Sequence, residues 1–284
     1  MLAIGVATIV TLASGTLGGE TVDVGERATP TRSVVPTASV APYVAPTAAQ
    51  VAVLPEAKYD AVIPGLIAYE AATAPQEATT AYTLSADTAI YGADHSEAVA
   101  RFAATNFLGE KSVVVPVAFT GSWALVLTPA RQALPSAAVG NAPAQTAGWV
   151  RTDRLMEDHP LTQRINVSVK DQTLTIVDAT GAKTASFSVG VGTPSTPTPT
   201  GVTGYIQARY LDPAQGQRTY PIQLSSLHSA TADEPYGGSD GGLIGVHYNF
   251  ASNGAVSHGC IRLPQEAITA VNRLPVGTLI SITN

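Results

Sequence analysis

Alternation of apolar and polar residues dominates the chain from about residue 161 onward. Ile165, Val167 and Val169 alternate with polar neighbours, and Leu174 and Ile176 repeat the pattern after a short turn. A period of two places one face of a strand inward and the other toward solvent. Further strand-like runs lie at 187–191, 204–210, 220–224, 243–248 and 278–283. This part of the chain is therefore predicted to be mainly β.

One stretch near the C-terminus carries the helical period instead. Pro264 suits a first helical turn, and an apolar stripe follows at Ala267, Ile268, Val271 and Leu274. These positions predict a short helix over 264–273. For the whole domain we expect one or two short helices.

Short apolar runs separated by turns also occur upstream, at 113–119, 123–127 and 148–150. Their order, Val-Pro-Val, Gly-x-Trp-x-x-Val and Gly-Trp-Val, resembles bacterial Src-homology-3-like modules. We therefore expect a small N-terminal β-barrel module over 58–157. The segment 95–107 is predicted as a helical insertion, with apolar residues at Ala98, Phe102 and Phe107.

The N-terminus has a different composition. Residues 2–19 carry no charge, which is typical of a signal peptide or membrane anchor over 1–20, although the usual preceding basic residues are absent. A buried N-terminal helix is the alternative. Residues 21–57 are rich in Pro, Thr and Ala, which disfavours helix and sheet and predicts a disordered linker.

Composition narrows the function. The net charge of −6 argues against a nucleic-acid partner, because a nucleic-acid-binding face must be basic. The chain has one cysteine, Cys260, so no intramolecular disulfide can form. Taken alone, a single cysteine is most simply interpreted as a small buried apolar residue.

The neighbours of Cys260 change that interpretation. The segments 245–249 and 257–263 bring a thiol, two imidazoles and a guanidinium into a short stretch, with His247 lying 13 positions before Cys260. A thiol becomes a good nucleophile only as the thiolate, and a histidine has a suitable pKa to take its proton. His258 lies two positions before Cys260, on the same side of an extended segment.

These residues resemble the catalytic signature of the L,D-transpeptidase family: a histidine, a variable loop, then Ser-His-Gly-Cys with Arg two positions later. Thr198-Pro199-Thr200-Gly201 resembles the family's Thr-Pro-x-Gly element, and Pro275 to Thr278 also fits. The resemblance covers the domain predicted at 161–284. It implies a β-sandwich or barrel-like fold, a segment 212–242 covering the acyl-donor groove, and a cysteine acyltransferase acting on peptidoglycan stem peptides.

The resemblance also implies residue roles. Cys260 is the nucleophile that forms a thioester, and His247 is the base. Ser257, His258 and Gly259 shape the site. Backbone amides near Cys260 act as oxyanion donors. Substrate-binding roles fall to Arg262, Tyr248, His228 and Tyr236. No metal or organic cofactor is implied.

Three alternatives stay open. With water as acceptor the activity becomes an L,D-carboxypeptidase rather than a wall-crosslinking transferase serving cell-wall biogenesis and cell shape. A non-catalytic wall-binding protein would use the module near Trp123 and Trp149. A zinc site is disfavoured, since structural zinc sites usually pair cysteines. For the transpeptidase, the carboxypeptidase and the wall-binding protein alike, we expect an exported, extracytoplasmic monomer in the cell envelope. It would be secreted or tethered to the membrane through its N-terminus.

Overall fold

The computed structural model of the protein describes residues 43–75, 77–238 and 240–284. The predicted signal or anchor segment 1–20 and most of the predicted linker lie outside these residues. Residues 45–284 form one compact unit. The prediction of a mainly β chain is confirmed, and the described residues contain two short α-helices. No described helix has the length and apolar character needed to cross a membrane.

The first half of the described chain forms two small sheets after a short helix, α1. A six-stranded sheet has the order β4-β3-β8-β7-β6 with β1 paired to β8, and a three-stranded sheet has the order β5-β2-β9. The bounds are α1 Ala48–Ala52, β1 Ile67–Ala68, β2 Thr80–Leu84, β3 Thr88–Tyr91, β4 Ala98–Phe102, β5 Val113–Val114, β6 Pro116–Thr120, β7 Trp123–Thr128, β8 Thr146–Arg151 and β9 Leu155–Pro160.

Two features of this half differ from the sequence predictions. The predicted helical insertion at 95–107 is wrong, because β4 occupies its centre: Ala100 and Phe102 point into the core while Arg101 points outward. Arg101 forms ion pairs with Glu56 at 2.7 Å and Asp87 at 3.0 Å. Glu56 of this ion pair and the helix α1 both lie within the predicted linker 21–57. Folded structure therefore begins before residue 57, the predicted end of the linker.

The second half forms one ten-stranded, curled sheet with the order β12-β11-β10-β19-β14-β15-β16-β18-β13-β17. The bounds are β10 Gln163–Ser168, β11 Thr173–Asp178, β12 Lys183–Ser188, β13 Gly190–Gly192, β14 Val202–Asp212, β15 Gln217–His228, β16 Leu243–Tyr248, β17 Gly254–Ser257, β18 Ile261–Leu263, α2 Gln265–Val271 and β19 Leu279–Thr283.

The helix α2 closes the core of this sheet. Its buried residues Ala267, Ile268 and Val271 are those of the predicted stripe, and Pro264 is the N-cap. They pack with Ile165 and Val167 of β10, both of which are fully buried, as their period-two pattern predicts. Burial of each such side chain contributes about 1.5–3 kcal/mol relative to its exposure to water.

The two halves share a core. Ala81 and Val115 from the first half pack in one buried cluster with Tyr205 and Leu279 from the second. Gly277 lies at this contact with a φ of +95°, and a Cβ there would approach the Cβ of Ala81 to 2.9 Å. The boundary between 157 and 161 stays a prediction, and the resemblance of 58–157 to Src-homology-3-like modules is not confirmed.

Residues of the first half also form hydrogen bonds with the segment 229–242, which follows β15 in the second half. Asp233 accepts hydrogen bonds from the amide and hydroxyl of Ser136 at 2.9 and 2.6 Å. Arg131, with only 1% of its surface exposed, donates to the Ala232 carbonyl at 3.5 Å. His228 donates from Nε2 to the carbonyl of Tyr59 at 2.7 Å. Residues far upstream thus fix the beginning of this segment.

His228 should make folding pH-dependent. Burial lowers its pKa from 6.5 to about 4, so the unfolded chain binds the proton more tightly than the folded chain. The stabilisation is complete above pH 6.5, is lost as the pH falls toward 4, and amounts to about 3 kcal/mol. His228→Gln keeps a donor for Tyr59 without titrating, so its free energy of unfolding should fall less over this interval. Urea unfolding at pH 7 and pH 4.5 measures the difference; equal losses in both proteins would contradict it.

Candidate active site

Parallel pairing of β16 with β18 brings the predicted site residues together. The register places Val246 beside Ile261 and His247 beside Arg262. Val246 and Ile261 are fully buried. Because side chains alternate along a strand, His247 and Arg262 project from the opposite face, as does Cys260 just before β18. The apolar residues of both strands therefore fix the polar ones on the cleft side.

The thiol of Cys260 lies against Gly245 of the neighbouring strand. The Gly245 amide donates to Sγ at 3.4 Å, and a Cβ at this position would lie 3.7 Å from the sulfur. Burial raises the pKa of Cys260, and the nearby Asp240 carboxylate raises it too. The Gly245 amide and the Arg262 guanidinium act in the opposite direction without reversing the shift. The resting thiol is therefore held in its neutral form.

The ring of His247 is oriented by the backbone that follows it. Its Nδ1 lies 2.9 Å from the Tyr248 carbonyl, which can only accept, so Nδ1 carries the proton and Nε2 keeps a lone pair. Burial lowers the pKa of His247, and Arg262 adds to this effect while the Tyr248 carbonyl opposes it. The histidine thus rests as a neutral base.

A tight turn precedes the cysteine. The Ser257 hydroxyl accepts from the Gly259 amide at 3.2 Å and donates to the Cys260 carbonyl at 2.6 Å. Gly259 has a φ of +116°, a region that residues with a Cβ rarely adopt. The Gly259 amide is therefore engaged inside the turn, and the role of other backbone amides near Cys260 as oxyanion donors stays a prediction. Ser257 shapes the turn from a buried position.

A distant segment supports this turn from behind. The Thr198 hydroxyl donates to the Gly259 carbonyl at 2.7 Å and accepts from the Gly192 amide at 2.9 Å. The Thr193 amide donates to the Ser257 carbonyl at 3.0 Å. The Thr-Pro-Thr-Gly element identified in the sequence thus contributes its first threonine to the backbone of the cysteine turn.

The cleft around Cys260 has a cavity volume of about 140 Å³ and opens to solvent. Of the sequence-predicted residues, its lining includes Cys260, His247, Ser257, His258, Arg262 and Tyr236. The Tyr236 and His258 rings meet edge to face with centroids 5.8 Å apart. His258 is exposed, and Tyr236 is 63% exposed.

Two predicted substrate-binding residues are not brought to the cleft. His228 is 1% exposed and bonded to Tyr59, because β15 carries it into the core. The Tyr248 ring packs on Tyr220 with centroids 5.0 Å apart, since strand alternation turns it away from His247. Only the Tyr248 carbonyl takes part in the site.

Two further lining residues, Gln217 and Asp240, were not singled out by the sequence. Neither belongs to the histidine–cysteine stretch, and only the fold brings them to it. Among the described lining residues, Asp240 is the one carboxylate and Arg262 the one guanidinium. No group of three His, Cys, Asp or Glu residues able to hold a metal ion occurs in 43–75, 77–238 and 240–284.

Comparison with solved structures finds L,D-transpeptidases at low identity. An L,D-transpeptidase from Mycobacterium smegmatis is 14% identical over 61% of this chain and 91% of that one, with a TM-score of 0.35. The Enterococcus faecium catalytic domain is 18% identical over 44% and 99%, with a TM-score of 0.30. The Stackebrandtia nassauensis enzyme is 16% identical over 43% of this chain, with a TM-score of 0.32; this chain spans 56% of its length.

No match was found among curated proteins. Residues 162–282 match the family model described as YkuD, the L,D-transpeptidase catalytic domain. The matched segment contains β10–β18, the helix α2, the cysteine turn and the supporting Thr198 element. Over residues 162–282 this chain is therefore similar to the YkuD family of L,D-transpeptidase catalytic domains.

Proposed function

We propose that the protein is a peptidoglycan L,D-transpeptidase in which Cys260 forms a thioester with the donor stem peptide. The observation that carries this proposal is the presentation of Cys260 and His247 by adjacent strands on one face of a cleft, inside the family-matched segment. The family supplies the substrate class, and the residues supply the thiol acyl transfer.

In the first half-reaction, His247 Nε2 takes the proton of the Cys260 thiol as sulfur attacks a carbonyl of the stem tetrapeptide. A carbon–sulfur bond forms and the carbonyl becomes an oxyanion. When the oxyanion collapses, the carbon–nitrogen bond breaks and the imidazolium returns its proton to the departing nitrogen. The terminal D-residue leaves as a free amine, and the donor stays bound as a thioester.

In the second half-reaction, an amine of a neighbouring stem attacks the thioester carbonyl and gives its proton to His247. The carbon–sulfur bond then breaks, and the thiolate recovers the proton. The product is an amide crosslink. If water is the acceptor instead, the same steps release a carboxylate, which is the L,D-carboxypeptidase alternative.

The charges of the cleft support this scheme. Cys260 and His247 both rest neutral, so proton transfer accompanies attack instead of preceding it as an ion pair. Arg262 lies beside His247 in the adjacent strand and lines the cleft, where its positive charge would stabilise the oxyanion or orient a substrate carboxylate. Tyr236 and His258 would contact substrate at the cleft mouth.

The cellular setting follows from the substrate. An enzyme that acts on stem peptides works outside the cytoplasmic membrane, so we propose an exported, envelope-located monomer, secreted or tethered through its N-terminus. No observation favours the wall-binding alternative, because the Trp123 ring that would serve it is stacked on His95 with centroids 4.6 Å apart.

Replacement of the nucleophile tests the proposal directly. Cys260→Ala should lower stem-peptide crosslinking by at least about 10³-fold, since removing a nucleophile abolishes the covalent route. Exposed Asn253 lies just before β17 and does not line the cleft, so Asn253→Ala should keep crosslinking near the wild-type rate. Crosslinked and hydrolysed products of purified stem peptides are quantified by mass spectrometry. Unchanged product with Cys260→Ala would refute the covalent role.

A carbapenem adduct gives a second readout. The family resemblance implies that the wild-type protein is acylated once, at Cys260, and that Cys260→Ala is not. Intact-protein mass spectrometry followed by peptide mapping locates the adduct. A wild-type protein that forms no adduct and no crosslinked product would defeat the proposed function.

The thiol should titrate as a group that rests neutral. Its alkylation rate with iodoacetamide should rise with pH through an inflection above about 8.5, the value of an unperturbed cysteine, because burial disfavours the thiolate. The acid limb of acyl transfer should lie below about 6.5, because the pKa of His247 is lowered and the base stays neutral to lower pH. An alkylation plateau already reached at pH 7 would instead indicate a preformed ion pair.

A further inference from the structure

We infer that Gln217 is a positioning residue for the base: its side-chain amide fixes the Tyr248 carbonyl, which in turn fixes the His247 ring. This inference rests on the proposed function of His247. Gln217 begins β15, the strand that neighbours β16 in the sheet, and it is only 6% exposed.

The three groups form a closed triangle. Gln217 Nε2 donates to the Tyr248 carbonyl at 2.9 Å, and His247 Nδ1 donates to the same oxygen at 2.9 Å. The third side, between Gln217 Nε2 and His247 Nδ1, is 3.5 Å. A carbonyl oxygen has two lone pairs, so it accepts both donors. A flipped amide would set Oε1 against the carbonyl oxygen, so the donor orientation of Gln217 is fixed.

The oxygen of the Gln217 side-chain amide shows that this contact carries a free-energy penalty for folding. Gln217 Oε1 is buried and has no hydrogen-bond partner among the described residues. A buried acceptor without a partner is unfavourable for folding, and an apolar side chain of the same length would avoid that penalty. A glutamine here is therefore better explained by its donor to Tyr248 than by stability.

The turn before Gln217 delivers it to this position. Asp212 accepts from the Ala214 and Gln215 amides at 2.9 and 3.3 Å, and it pairs with Gln217 across the hairpin. Gly216 closes the turn in the left-handed region with a φ of +77°. The hairpin end formed by β14 and β15 thus brings one amide against the base from outside its own strand.

Gln217→Met separates positioning from stability. Methionine keeps the length but removes both the donor and the unpartnered acceptor, so the unfolding midpoint should stay equal or rise. The rate of carbapenem acylation at Cys260 should fall about 10-fold or more, because a misdirected base is a geometric fault. Long-range ¹⁵N spectra of labelled histidine, with His247 assigned through His247→Gln, should change from one Nδ1–H tautomer to a mixture.

Gln223→Met is the matched control. Gln223 is also a buried amide on β15, but it bonds to Asn272 and the Pro221 carbonyl at 3.2 and 3.0 Å. This variant should lose stability while the folded protein keeps the wild-type acylation rate and the single His247 tautomer. Gln217→Glu provides a second variant at the site itself, because it preserves shape but replaces the donor with an acceptor.

The outcomes are distinguishable. Slow acylation at Cys260 with mixed tautomers, in Gln217→Met or in Gln217→Glu if the first fails to fold, supports the inference. A wild-type rate with a single tautomer in a folded variant overturns it while the proposed function stands. A wild-type protein that is not acylated at all overturns both.

Discussion

The parallel pairing of β16 with β18 is the constraint on which the site depends. It places the Gly245 amide beside the Cys260 thiol and His247 beside Arg262. A shift of one residue would turn every side chain of a strand to the other face, sending the imidazole into the core and a valine into the cleft. The complete burial of Val246 and Ile261 opposes that shift, so apolar packing on one face determines the chemistry on the other.

Pairing alone would leave the approach to the cysteine undefined, and two other regions complete it. Thr198 holds the Gly259 carbonyl from behind, which stabilises a turn whose φ of +116° suits glycine. The segment 229–242 carries Tyr236 and Asp240 to the cleft lining, and its beginning is bonded to residues of the first half of the chain. The first half is therefore part of the framework of the cleft.

The sequence predicted those features that a local pattern encodes. Period-two alternation identified β10 and β11, and the apolar stripe identified α2. The same criterion failed at β4, where Ala98 and Phe102 also fit a helical spacing and only pairing with β3 decides between the two. His247, Cys260 and Arg262 were found because they lie close together in the chain. Gln217 and Asp240 could not be, since each enters the cleft through long-range topology.

The electrostatic character of the cleft connects these elements to reactivity. A buried ion pair of thiolate and imidazolium would require two desolvated charges, and burial here shifts both pKa values toward the neutral pair. In the proposed mechanism the reactivity of the thiol then depends on the direction of His247 Nε2 at the moment of attack. Direction is a matter of hydrogen bonds more than of charge, and the Tyr248 carbonyl supplies it. The Gln217 amide, from a separate hairpin, holds that carbonyl and so aligns His247, a base that must remain uncharged until substrate arrives.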